Sequence, residues 1–160
     1  MIYDNSGVRR RDRLLEEQEA LEILKNGEYG VLSMVGDEGE GYGVPLSYVF
    51  EEDHFYFHCA LEGKKLRALE QNGKVSFCVV GRTMVLSKQF STEYESVVVT
   101  GNVVREVEEA EKWHALELLL DKYSSKDKKA GIRYAEKLFA RTKVVRVNAV
   151  SVSGKCRISG

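Results

Sequence analysis

Residues Tyr29 to Ala60 read "YGVLSMVGDEGEGYGVPLSYVFEEDHFYFHCA". Three apolar runs, "YGVLSMV", "YGVPLSYVF" and "HFYFHCA", are separated only by "GDEGEG" and "EED". Gaps this short admit hairpin turns, whereas a parallel connection needs about a dozen residues or more. The stretch therefore predicts three antiparallel strands in a meander, and a doubly wound βαβ sheet is the poorer fit.

Outward from this stretch, helices fall at the junctions. Upstream, "EEQEALEILKN" predicts a short helix over 16–26, with Ala20, Leu21, Ile23 and Leu24 as its apolar stripe and Asn26-Gly27 as its end. Downstream, "LEGKKLRALEQNG" predicts a helix with Leu66 and Leu69 inward. "KVSFCVV", "TMVLSKQF" and "SVVVTGNVVREV" then predict a fourth, fifth and sixth strand, with Gly101 at a bulge or bend. "EEAEKWHALELLLDKYS" carries Trp113, Leu116, Leu119, Leu120 and Tyr123 at helical spacing. A second helical stretch, "DKKAGIRYAEKLFAR", follows, and "TKVVRVNAVSVSGKCRI" closes the chain as a last strand. The expectation is a mainly β domain, a six- to seven-stranded antiparallel barrel with helices.

The 160 residues suit one domain, 1–160, with 1–15 as an N-terminal arm. The 24 Lys+Arg against 25 Asp+Glu leave a formal net charge of -1, which is no global nucleic-acid footprint. The Arg9-Arg10-Arg11 cluster is balanced by Asp12, Glu16, Glu17 and Glu19 and reads as solvated. No apolar run approaches a membrane span, and no apolar signal region opens the chain. Cys59, Cys78 and Cys156 are isolated and odd in number, so neither a disulfide framework nor a zinc knuckle is expected. A reducing, cytoplasmic setting is the default expectation.

Chemistry concentrates in "FHCALEGKKL", Phe57 to Leu66. Strand alternation puts Phe55, Phe57 and Cys59 on one face and Tyr56, His58 and Ala60 on the other. Cys59 then reads as a small core hydrophobe. His58 stands at the strand end, where a hydrogen-bonded structural histidine and a site histidine are both open. No ligand partners lie at metal spacing, so no metal is expected. Gly63-Lys64-Lys65 begins the following helix, whose unpaired N–H groups attract anions; two solvated lysines are the alternative. Pro45, the lone proline, marks an edge, a bulge or a ligand-facing wall. Ser91 and Thr92, in the polar connection "KQFSTEYESVVVTG", could donate to a phosphate or ring oxygen, or form an ordinary hairpin. Trp113 reads as core, with His114 at its flank.

These pieces in this order, with "RRRDR" ahead of the first helix and "GVPLSY" paired with "FHCALEGKKL", resemble the pyridoxamine 5'-phosphate oxidase-like FMN-binding split-barrel proteins. The similarity runs from about Arg9 to Arg157 and is nearest the 5-nitroimidazole resistance branch. It implies a split β-barrel and a homodimer with FMN at the subunit interface. Carried onto this chain, it implies Val44, Pro45, Leu46 and Ser47 beside the isoalloxazine ring. It places His58, Cys59 and Ala60 beside the ribityl chain, and Gly63, Lys64 and Lys65 at the phosphate. Phe90, Ser91 and Thr92 would close the site, from either subunit, and His58 would be the catalytic group. The resemblance implies an FMN-dependent oxidoreductase acting on a small acceptor such as a nitro-aromatic. A non-enzymatic flavin- or haem-binding protein is the alternative. The arginine-rich phosphate set and the substrate motif of true pyridoxamine 5'-phosphate oxidases are not evident, so that reaction is not expected.

Overall fold

The computed structural model describes residues 1–158. Helix α1 (Glu17–Asn26) opens on a reciprocal cap. The Glu16 amide donates to the Glu19 carboxylate at 2.9 Å, and the Glu16 carboxylate accepts from the third helical amide. The helix buries Ala20 and Leu24 and ends where the Gly27 amide donates to the Ile23 carbonyl at 2.9 Å.

The sheet has eight strands, counting β1 (Ile2–Tyr3), β2 (Gly30–Val35), β3 (Gly41–Leu46), β4 (Val49–Glu51) and β5 (His54–Cys59). Helix α2 (Lys64–Gln71) precedes β6 (Lys74–Leu86) and β7 (Ser91–Val104). Helices α3 (Glu109–Ser124) and α4 (Lys128–Leu138) precede β8 (Lys143–Arg157). The hydrogen-bonded order is β3-β2-β6-β7-β8-β5-β4, antiparallel throughout, and β1 lies parallel on β8.

The order corrects the expected meander. "YGVPLSYVF" is not one strand; it breaks at Ser47-Tyr48 into β3 and β4. Tyr48 turns fully inward, and its hydroxyl donates to the Leu24 carbonyl at 2.5 Å, ending α1 against the sheet. The break sends the β2–β3 and β4–β5 hairpins to opposite ends of the sheet. The expected six- to seven-stranded barrel is therefore an open path of seven strands, with β1 as an eighth beside β8, consistent with a β-rich split-barrel fold but not closed. Its two edges, β3 and β4, are joined covalently by Ser47-Tyr48 rather than by a ladder. Pro45 sits on the β3 edge, where its missing donor costs nothing on the outer side. The expected fourth and fifth strands fuse into the single β6, with a register shift between Val80 and Thr83.

Gly101 is at an irregularity, as its position suggested: the β7–β8 register shifts between Thr100 and Gly101. A Cβ there would stand 2.6 Å from the Asn148 carbonyl oxygen, so only glycine fits. The inner face of the sheet packs Leu32, Phe55, Phe57, Phe77, Val79, Val97 and Val99 into one core. The rings of Phe55 and Phe77 stack at 4.4 Å, and Tyr48 meets Phe77 edge-on at 4.7 Å. Each such side chain removed from water contributes about 1.5–3 kcal/mol.

The N-terminal segment lies along β8 rather than projecting into solvent. Tyr3 donates to the Leu15 carbonyl at 2.5 Å, and the Gly154 amide donates to Asn5 Oδ1 at 3.0 Å. Arg9 and Arg11 remain exposed.

Strands β7 and β8 pair directly, from Tyr94↔Arg157 to Val104↔Arg146, although α3 and α4 lie between them in sequence. The two helices thus form a lobe outside the sheet. Leu116 and Leu119 of α3 bury against Val49, Tyr56 and Val144. That contact explains why both faces of β5 are buried at Phe55, Tyr56 and Phe57. No described helix is long and apolar enough to cross a membrane.

Candidate functional site

The seam between β3 and β4 opens onto a cleft of about 910 Å³ between the sheet and the helical lobe. Ser47, His58, Cys59 and Ala60 line its sheet side. Leu116, Leu119, Leu120 and Tyr123 of α3, with Tyr134, Ala135 and Leu138 of α4, line the other, and Arg141 and Thr142 follow them.

The Ser47-Tyr48 junction is clamped from α3. The Tyr48 amide donates to the Tyr123 hydroxyl at 3.0 Å. That hydroxyl has one proton, shared between the Tyr48 carbonyl at 2.8 Å and the Glu28 carbonyl at 2.7 Å. A single side chain thereby fixes the wall that carries Ser47.

Alternation along β5 delivers the expected split. Cys59 packs against the sheet core, and burial pushes its thiol up, although Lys65 and Lys143 oppose the shift. It is no activated nucleophile. His58 faces the cleft. Desolvation, and then the positive charge of Lys65, hold its imidazole below the ordinary value, which favours the neutral form, although the residue as a whole is exposed. Among the described residues His58 makes no hydrogen bond or ion pair, which leaves both ring nitrogens available.

Gly63 takes φ +139 ahead of α2, a conformation that favours glycine, and the space around its absent Cβ is open for 4 Å. The first turn of α2 carries no acid. Its two lysines differ. Lys64 is engaged, 2.7 Å from Glu40 and 4.7 Å from the Tyr42 ring centroid. Lys65 makes no ion pair among the described residues, and its ammonium stands 5.0 Å over the Phe57 ring.

The structure therefore brings Ser47, His58, Cys59 and Ala60 together, with Gly63, Lys64 and Lys65 following in the chain. Val44, Pro45 and Leu46 precede Ser47 on β3 but do not line the cleft; Val44 and Leu46 pack against the sheet core. Phe90, Ser91 and Thr92 are not on this cleft; they lie at the far turn of the β6–β7 hairpin, where Leu86 pairs with Ser91. Phe90 adopts φ +50 and is 97% exposed. The lobe residues, Tyr123, Tyr134 and Arg141 above all, carry no motif. Leucines and tyrosines at helical spacing read as packing, and α3 uses Leu116 and Leu119 for packing and cleft at once.

The residues fit the flavin phosphate expected from the sequence. An open glycine turn, unopposed first-turn amides and an unpaired Lys65 make an anion cradle, whereas Lys64 is already shared with Glu40. Among the described residues no group of three or more His, Cys, Asp or Glu is placed to hold a metal ion.

The pyridoxamine 5'-phosphate oxidase family model matches residues 16–156, and the chain belongs to that family. Several solved structures share the fold at low identity. A candidate 5-nitroimidazole antibiotic resistance protein from Bacteroides thetaiotaomicron is 24% identical, with a TM-score of 0.73 over 90% of this chain and 86% of that one. An FAD-binding protein from Mesorhizobium loti is 23% identical, with a TM-score of 0.68 over 91% and 98%. An FAD and heme binding protein from Mycobacterium smegmatis is 18% identical, with a TM-score of 0.70 over 92% and 74%. No curated protein sequence matches.

Proposed function

We propose that the chain is an FMN-dependent reductase of small acceptors such as nitro-aromatics, acting as a homodimer. The observation that carries this reading is His58 on an apolar cleft, without a hydrogen-bond partner among the described residues, one strand end away from the anion cradle at Gly63–Lys65. Val44, Pro45, Leu46 and Ser47 would wall the flavin ring, and Lys65 would take its phosphate. When bound, FMN supplies two electrons obtained from a reduced carrier.

This chain's residues supply orientation, dryness and protons. Reduction of a nitro group to a nitroso group consumes two electrons and two protons and releases one water. His58 delivers one proton and solvent the other. Its lowered pKa makes the imidazolium a stronger acid but a scarcer one at neutral pH. Turnover therefore rises as pH falls below the ordinary imidazole value.

The dimer is supported by the β6–β7 hairpin, which holds Met84, Val85 and Phe90 in solvent. A second copy would cover them, and its Phe90, Ser91 and Thr92 would close the cleft.

Purified protein titrated with FMN, followed by flavin fluorescence and a nitro-reduction assay, tests the reading. Lys65→Ala should weaken FMN binding about tenfold, in the range of one charge-assisted bond. His58→Ala should lower turnover roughly 100-fold, leave FMN affinity in place, and flatten the pH profile. Unchanged turnover in His58→Ala removes the proton role; unchanged affinity in Lys65→Ala removes the phosphate assignment.

The haem alternative keeps one supporting observation. An imidazole whose neutral form is favoured, with a free nitrogen facing an apolar cleft of this volume, would also be able to hold a haem iron. A Soret band in the purified protein, lost in His58→Ala, would favour it over flavin.

A further inference from the structure

We propose that the cleft selects planar apolar molecules that carry a carboxylate or similar anion, and that Arg141 is the residue that selects them. The inference rests on the flavin reading for where the cofactor lies, but the charge preference belongs to the cleft itself.

Sixteen residues line the cleft, and none is Asp or Glu. Apart from the titratable imidazole of His58, the one charged side chain on the lining is the Arg141 guanidinium. Arg141 makes no hydrogen bond or ion pair among the described residues. Its basic neighbours along the chain are spent: Lys143 Nζ is 2.5 Å from Glu106, and Arg146 Nη1 is 2.6 Å from Glu111. Arg141 is exposed, and a lone cation beside apolar walls with no acid among them still biases the cleft toward anions. The walls suit an aromatic body, with Leu119, Leu120 and Leu138 among them and Tyr123 and Tyr134 for ring contacts. A guanidinium presents a planar fork that matches a carboxylate with two parallel bonds, which an amide or alcohol cannot reproduce.

The layout sets the pose. Ser47 and His58 approach from the sheet, and Arg141 approaches from the turn that follows α4. A ligand held at its anionic end by Arg141 extends its body toward His58. An acceptor with the anion at one end and the reducible group at the other is thereby presented in one orientation.

Calorimetry on the full chain, with and without FMN, tests this with 4-nitrobenzoate against 4-nitrobenzamide, which differ in charge and little in shape. The acid should bind about tenfold or more tighter than the amide, the worth of a hydrogen-bonded charge. Arg141→Gln should erase that preference without altering FMN affinity. Arg141→Lys should restore it in part, since it returns the charge but not the fork. Lys137→Gln, a basic residue outside the lining, should leave it intact. Equal binding of acid and amide by the natural chain, or an undiminished preference in Arg141→Gln, overturns the proposal. If FMN fails to bind while the acid preference persists, the flavin reading falls and this one stands. A propionate-bearing tetrapyrrole shares the ligand chemistry: hemin binding should be lost in both His58→Ala and Arg141→Gln, whereas 4-nitrobenzoate binding should survive His58→Ala.

Discussion

Lys122 holds its ammonium 4.0 Å above the ring of Tyr48, with no hydrogen-bond acceptor. The ring's negative face offers some compensation, yet desolvation wins and pushes the lysine down to about 8 from its ordinary 10.5. The sign of the consequence follows from proton counting. Between those two values the unfolded chain keeps a proton that the folded chain has lost, so stability rises with pH across that window. Lys122→Met fills the same space without the charge. It should stabilise the protein at pH 7 and remove this rise, read as the difference between the two proteins in urea unfolding at pH 7.5, 9 and 10. Parallel curves would show that Lys122 is solvated. The same residue-level accounting separates Cys59 from His58. They are adjacent in sequence and both border the cleft, yet Cys59 packs against the core while His58 stands exposed without a partner among the described residues, a difference that the period of a strand makes legible.

Helix α3 is held to the sheet at two levels, by the Leu116–Leu119 face and by the Tyr123 hydroxyl. Tyr123→Phe keeps the ring and deletes the hydroxyl, leaving the Tyr48 amide without its partner. The expected cost is about 1–3 kcal/mol, measured by chemical unfolding, with a loosened Ser47 wall read as weaker FMN binding. A variant as stable and as tight as the parent would show that packing alone sets the junction. This junction is also what the sequence hid. The alternation of "YGVPLSYVF" is continuous across Ser47-Tyr48, and nothing local announces the break. The break is set by two distant partners, Leu24 and Tyr123. β1 was illegible for a different reason: two residues carry no period. By contrast α1, α3, the Gly101 irregularity and β8 follow from spacing and glycine placement. The sheet-side site was legible because its residues form a compact motif, and the lobe side was not, because its residues are indistinguishable from ordinary helix packing.

At the scale of the molecule, the β6–β7 hairpin is the surface that most needs a partner. Val85 is 76% exposed and Phe90 97%, an apolar tip that a solitary chain gains nothing by displaying. Replacing both with Ser should convert a dimer to a monomer in sedimentation velocity and weaken FMN binding, without lowering the unfolding cooperativity of the monomer. A parent chain that sediments as a monomer would sink the dimer reading. The lobe of α3 and α4 has the opposite relation to the rest of the chain. Residues 105–142 leave the sheet and return to it at the neighbouring Val104↔Arg146 pair, so the β7–β8 ladder closes beneath them. The anion cradle belongs to one continuous piece of chain and the ligand-selecting wall to another. A graft of a different helical pair onto the same two stems, keeping apolar cover for Val49, Tyr56 and Val144 and a hydroxyl in the place of Tyr123 at the Ser47-Tyr48 junction, would re-tool the acceptor range while leaving the flavin end untouched. Diversification of this scaffold, in nature or by laboratory evolution, has a natural cassette with its splice points already adjacent.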